Sequence, residues 1–255
     1  MTTIDTNTFP PAAPEAQPFP SSSQVPYRCA IYFAPAVDSP WWAAGSRWLG
    51  RCAHMGTALA QPEIEGVDSE LLHGLTVEPR RYGWHATLKA PFQLAPGHGL
   101  DELRAALRAL CAGFARFTLP PLEVRRMDRF IALRPAHASA PLDALAADCV
   151  TRLQALAAPL PPAELARRRR APLTPEQDAL LVRWGYPWVL EHFRFHLSLT
   201  GDIAGQPPAT QAVLLQAAQA YFESLPACEF SHLSLFVEPS PGADFVLDAQ
   251  MELRA

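Results

Sequence analysis

The chain has 255 residues, 49% of them apolar and 18% charged, with a formal net charge of −4. That length can bury a core as one large domain or as two small lobes. The negative balance excludes a broad nucleic-acid-coating surface while leaving room for a local basic pocket, and no apolar run approaches the length needed to span a bilayer.

Residues 1–26 are punctuated by Pro10, Pro11, Pro14, Pro18, Pro20 and Pro26, with Ser21–Ser23 between them. Such a stretch cannot bury enough apolar surface to offset its ordering entropy, so it is predicted to be a disordered tail. The folded part is predicted over 27–255. Cys29–Ala34 is a short apolar run expected as a buried strand. Ser39 followed by Pro40 marks a helix start, and that helix is expected to run to about Ala53.

His85–Phe92 is predicted as a strand, 101–114 as a helix, and Leu122–Met127 and Phe130–Leu133 as two short strands. A helix over 141–156 follows. A proline-rich and then basic connection spans 157–171, and Thr174-Pro175-Glu176-Gln177 is a capping box. Phe193–Leu199 alternates as a strand does. A helix over 210–225 and strands over 230–237 and 245–251 close the chain. Strand, helix and two short strands thus occur twice, which predicts two similar lobes facing each other across a cleft.

The five cysteines are Cys29, Cys52, Cys111, Cys149 and Cys228. Their number is odd, no two form a CxxC pair, and all sit in apolar stretches. They are expected to be buried free thiols in a reducing compartment. With no basic residue before Arg28 and no continuous apolar leader, a cytoplasmic location is expected. Lys89 is the single lysine among 21 Lys and Arg residues.

Two stretches carry candidate chemistry: His85-Ala-Thr-Leu-Lys89 and His196-Leu-Ser-Leu-Thr200. Both are His, any residue, hydroxyl residue, Leu. On a strand, alternate side chains share a face. His85, Thr87 and Lys89 would point one way, with Arg81 if the strand begins that early. Arg194, His196, Ser198 and Thr200 would share a face of the second strand. This combination suits a phosphodiester. One neutral imidazole can take a proton from water while a second, protonated one gives its proton to the leaving oxygen. The hydroxyls can donate to non-bridging oxygens, and Lys89 or Arg194 can offset developing charge.

One such tetrapeptide carries little information, because Ser, Thr and Leu are common. Two copies in matched context carry more. A third copy, His232-Leu-Ser-Leu, has no helix after it, so His196 ranks ahead of His232, which could still line the cleft. His192 and His196 have the spacing of zinc ligands on a helix, but on a strand they stand roughly 13 Å apart. No metal and no cofactor are therefore expected. Neither a GxSxG elbow nor a glycine-rich phosphate loop is present. Arg167–Arg170 is expected as a solvated run, with a phosphate clamp or mobile flap as the alternative. Trp184, Tyr186 and Trp188 fit core packing, with base stacking also open.

With one histidine motif per lobe, the chain resembles the two-histidine (2H) phosphoesterases, which include the RNA ligase/cyclic phosphodiesterase proteins. Tyr82-Gly-Trp-His-Ala-Thr-Leu-Lys89 and Phe193-Arg-Phe-His-Leu-Ser-Leu-Thr200 look closer to one bacterial branch of unknown function. That branch is found beside carbon–phosphorus lyase genes and described in terms of phosphonate metabolism. The resemblance covers roughly 27–255. It implies an α+β, bilobal, pseudo-symmetric fold with an antiparallel sheet in each lobe, helices outside and a central cleft. It implies His85 and His196 as catalytic pair, and Thr87 and Ser198 as phosphate-binding hydroxyls. Arg81, Lys89, Arg194 and Thr200 are secondary candidates for substrate contact. The expected ligand is a small cyclic phosphodiester or other phosphate ester. RNA with a 2′,3′-cyclic phosphate or 2′–5′ linkage is a second expectation, and non-catalytic binding of a nucleotide or sugar phosphate a third.

Overall fold

The computed structural model describes residues 25–255. The predicted tail lies outside them except for its last two positions. β1 (Arg28–Phe33) is buried along nearly all its length. α1 (Pro40–Leu49) opens as predicted, with Ser39 Oγ accepting from Trp42 N at 3.1 Å and Pro40 in the first turn. It stops short of Ala53 because Gly50, at φ 83°, turns the backbone left-handed and caps it. The sequence predicts no elements for the next stretch. The structure places there a small ribbon, β2 (Arg51–Cys52) with β3 (Thr57–Ala58), and two short helices, α2 (Ser69–Leu75) and α3 (Val77–Tyr82).

The first half continues with β4 (Ala86–Phe92), α4 (Leu100–Cys111), β5 (Phe117–Thr118), β6 (Leu122–Met127) and β7 (Phe130–Pro135). α5 (Ala140–Arg152) packs against β4. Part of the predicted basic connection is helical instead, as α6 (Pro162–Arg168). α7 (Pro175–Trp184) carries the predicted capping box, in which Thr174 Oγ1 accepts from Gln177 N and Gln177 Oε1 accepts from Thr174 N.

The second half holds β8 (Leu197–Ser198), α8 (Pro208–Phe222), β9 (Glu229–Phe230), β10 (His232–Glu238) and β11 (Val246–Glu252). The predicted strand over 193–199 is mostly absent. A 3₁₀ turn at Leu190–His192 leads into irregular chain, and only two residues pair with β7. The alternation that predicts a strand is met without one, since Phe195 buries its ring 5.5 Å from that of Phe33.

Two antiparallel sheets dominate. One has the order β11-β10-β1-β4, the other β6-β7-β8. Each histidine motif therefore lies on an edge strand, and the sheets are crossed between the halves. β4, from the first half, sits with β10 and β11 from the second. β8, from the second, sits with β6 and β7 from the first. The equivalent strands β5 and β9 pair antiparallel with each other, Phe117 opposite Phe230. One apolar core runs from Cys29 to Leu253 and takes in residues of both sheets and of α1, α4, α5 and α8. All five cysteines are buried and unpaired, as expected. Among the described residues, no helix is long and apolar enough to cross a membrane.

Candidate active site

The turn before β4 fixes His85. Gly83 adopts φ 80°, a conformation that strains any other residue, and a Cβ there would lie 2.5 Å from that of Ala53. This turn aims the Gly83 carbonyl at His85, whose Nδ1–H donates to it at 2.8 Å. The tautomer follows, because a carbonyl only accepts. Nε2 keeps its lone pair and meets the Thr87 hydroxyl at 3.3 Å. The ring stacks on Tyr32, with centroids 3.9 Å apart, and is flanked by Tyr82 and Phe236. Burial among these rings pushes its pKa down to about 4, against the opposing pull of the Gly83 carbonyl, and proximity to His196 lowers it further.

His196 repeats the arrangement. Its Nδ1–H donates to the carbonyl two residues upstream, Arg194 O, at 2.7 Å. Its Nε2 is the free nitrogen. Its ring tilts on Phe130 at 5.5 Å. Burial lowers its pKa, opposed by the Arg194 carbonyl, and Arg134 lowers it further. Ala132 pairs with Ser198 and Leu133 with Leu197, so continuing the register sets Arg134 opposite His196. The sequence reading missed Arg134. Its buried Nε has no hydrogen-bond partner among the described residues. No sequence signal singles out Arg134, because the pairing of β7 beside the second motif is not written in any local pattern.

A cleft of about 370 Å³ opens in front of His85 and Thr87. Its other walls are Arg28, Tyr32, Tyr82, Ala90, Pro91, Arg167, Arg168, Tyr186 and Trp188, among others. Arg194 stands over the Trp188 ring at 5.8 Å. The run Arg167–Arg170 is therefore divided. Arg167 and Arg168 face the cleft, while Arg169 pairs with Asp178.

Three secondary candidates do not face the cleft. Lys89 is 3% exposed and donates to Gln154 Oε1 at 2.8 Å, and burial takes its pKa down to about 8. A register shift between β1 and β4, where Tyr32 opposes Thr87 but Ile31 opposes Lys89, breaks the alternation, and Ala90 continues the cleft face. Thr200 is 2% exposed, and its hydroxyl accepts from Ile131 N at 3.0 Å. Arg81 belongs to α3 rather than to the strand and pairs with the fully buried Glu238. His232 is not part of the cleft wall; Ser231 Oγ lies 2.8 Å from its Nδ1. Ser198 shares the sheet face of His196, partly exposed.

Residues 87–246 match the family described as "Protein of unknown function (DUF1045)", and the chain belongs to that family. It is 41% identical over 245 residues to the ribose 1,5-bisphosphate phosphokinase PhnN of Janthinobacterium sp. (strain Marseille). That match covers 92% of this chain and 53% of the relative. It is 37% identical over 221 residues to the protein of the same name from Laribacter hongkongensis (strain HLHK9), covering 86% of this chain and 50% of that one. The chain thus spans about half the length of these curated relatives. Among solved structures, a phosphoesterase aligns at 13% identity and TM-score 0.41 over 90% of this chain and 99% of that one. E. coli LigT complexed with 3′-AMP aligns at 14% identity and TM-score 0.39, over 90% and 99%.

Proposed function

We propose that this chain is a metal-independent phosphoesterase that opens a small cyclic phosphodiester, with His85 and His196 as its acid–base pair. The observation that carries this reading is the matched tethering of the two imidazoles. Each Nδ1–H is spent on a carbonyl two residues upstream, at 2.8 and 2.7 Å, so each presents Nε2 as its working nitrogen. Burial favours the neutral form of both rings, and the nearby His196 lowers the His85 pKa further. Acid–base catalysis needs one proton on such a pair, and an anionic substrate can supply the stabilisation for it.

The chemistry follows from that single proton. The anionic phosphodiester stabilises one imidazolium. The neutral partner takes a proton from water as the water oxygen bonds to phosphorus. The bond from phosphorus to the ring oxygen breaks, and the imidazolium delivers its proton there. A phosphate monoester results, and the pair again holds one proton. Thr87 and Ser198 donate to the non-bridging oxygens. The names of the relatives support a phosphorylated ribose as the carrier of the phosphodiester. Phosphokinase activity is not extended to this chain, because it has no glycine-rich phosphate loop and its only lysine is buried against α5.

The test is turnover of 2′,3′-cyclic nucleotides and ribose 1,2-cyclic phosphate in excess EDTA. EDTA-resistant hydrolysis that His85→Ala and His196→Ala abolish and His232→Ala retains is the expected result. Turnover that survives both of the first two substitutions, or that EDTA abolishes, overturns it. Binding without turnover of any member of the panel would assign the cleft to ligand capture instead.

A further inference from the structure

Of the catalytic candidates, His85 and Thr87 line one end of the cleft, while His196 and Ser198 lie outside its lining residues. Thr87 pairs with Tyr32, and Phe92 with Cys29, so β1 and β4 run side by side along the cleft wall. His85 and Thr87 lie at one end of this stretch. Pro91, on β4, and Arg28, on β1, lie at the other. Thr87 and Pro91 are four positions apart, roughly 13 Å of extended chain. The far end is cationic. Arg28 gives its Nε edge to the buried carboxylate of Glu238, which also holds Arg81. Arg28's terminal nitrogens have no acceptor among the described residues. Arg167 spends Nε and Nη2 on Glu164, at 2.8 and 2.6 Å, and keeps Nη1. Arg168 is fully engaged, by Glu164, Gly185 O and Pro91 O, and fastens α6 to the wall.

Three guanidinium groups, of Arg28, Arg167 and Arg168, therefore line a small cavity and share two carboxylates, one of which, Glu238, also holds Arg81 outside the cleft. Arg167 and Arg168 hold the Glu164 carboxyl down at about 2, so acid does not release them over any ordinary pH range. Fixed, pre-paired arginines with donors left over are what a phosphate dianion selects. Tyr82, Tyr186 and Trp188 also line the cleft.

We propose that Arg28 and Arg167 form a second anion subsite, which binds a phosphate monoester on the same small molecule whose phosphodiester lies at His85. The inference rests on the phosphoesterase reading for the identity of the other end. The substrate class is then a doubly phosphorylated small polyol or sugar, in which the reacting phosphodiester and the anchoring monoester stand on opposite sides of the carbon skeleton.

Two measurements test it on the full chain. The first is calorimetric binding of ribose 5-phosphate and of ribose to the wild type, Arg167→Met, Arg28→Met and Arg169→Met. Ribose 5-phosphate should bind at least roughly tenfold more tightly than ribose. Arg167→Met and Arg28→Met should each remove most of that preference. Arg169→Met, outside the cleft, should keep it. Arg167 is on the surface, so its variant folds even where Arg28→Met, which strips a partner from Glu238, does not. The second is kcat/KM for nucleoside 2′,3′-cyclic phosphates with and without a 5′-phosphate. The ratio should favour the phosphorylated substrate and fall about tenfold in Arg167→Met. Arginine-dependent binding with no turnover of either substrate would keep the subsite and sink the hydrolase. Equal binding of ribose and ribose 5-phosphate, or a preference untouched by Arg167→Met, would overturn the subsite and leave the hydrolase standing.

Discussion

The two histidine motifs share four letters and one tether, yet they sit in different surroundings. His85 precedes a seven-residue strand and lies in a sandwich of rings, on Tyr32 and beside Tyr82 and Phe236. His196 precedes a two-residue strand and has Phe130 on one side and the cation of Arg134 opposite. The cause is the crossing of the sheets. In one sheet the strand beside the motif is β1, an inserted apolar strand with no counterpart in the repeat. In the other it is β7, which supplies Arg134. Two copies of one motif thus give two imidazoles that burial holds neutral in different surroundings, apolar rings around His85 and, beside His196, the cation of Arg134.

The largest effects should come from removing either ring. His85→Ala and His196→Ala should each lower kcat by roughly 10³-fold. The double variant should be little worse than either single one, because the pair acts as a unit. Additive losses would show that the rings work independently.

The comparison is next broken at the tethers. Gly83→Ala puts a Cβ against Ala53 at a left-handed φ, so the carbonyl that orients His85 must move. A drop of about tenfold to a hundredfold in kcat is expected, with KM changed less. Arg194→Ala keeps its carbonyl and should cost only a few-fold, through lost contact with Trp188. Equal losses in these two variants would contradict the asymmetry of the turns.

A subtler test separates the two electrostatic environments. Arg134→Met should raise the pKa of His196 and leave that of His85 nearly unmoved, as followed by NMR titration of the ring protons. A parallel rise in both would mean that Arg134 acts on the whole cleft.

The smallest effect concerns stability. His85 titrates near 4 in the folded chain against a reference of 6.5. The unfolded chain therefore takes up a proton that the native chain refuses. The stabilisation is complete above about pH 6.5 and is lost as pH falls toward 4, by up to ~3 kcal/mol. The urea midpoint of His85→Phe should consequently fall less than that of the wild type between pH 7 and 4.5. An unchanged acid response would place the lost stability elsewhere.

Much of this could be seen in the sequence. Ser39-Pro40 and the Thr174 capping box encode local hydrogen bonds, and local chemistry survives folding. The paired motifs marked the site because an imidazole and a hydroxyl two apart on extended chain must share a face. What could not be seen depends on partners. The register shift that turns Lys89 into the core follows from β1, over fifty residues away. Thr200 lies just past β8, and its hydroxyl serves the β7 backbone. Arg81 was lost to a short helix, α3, whose residues show no apolar periodicity. Arg28 and Arg167 reach one cleft, and Arg134 reaches His196, only through pairings between distant segments, which no window of sequence contains.

That crossing has a consequence for the chain as a whole. Cut in the stretch between α5 and α6, the polypeptide would yield two fragments, each with one of the two motif histidines, His85 and His196. The first would keep β1, β4, β6 and β7; the second would keep β8, β10 and β11. Neither fragment could complete either sheet from its own strands. Each sheet is a contract between the two pieces, and the proposed hydrolysis would return only on mixing, as an AND gate written in backbone hydrogen bonds.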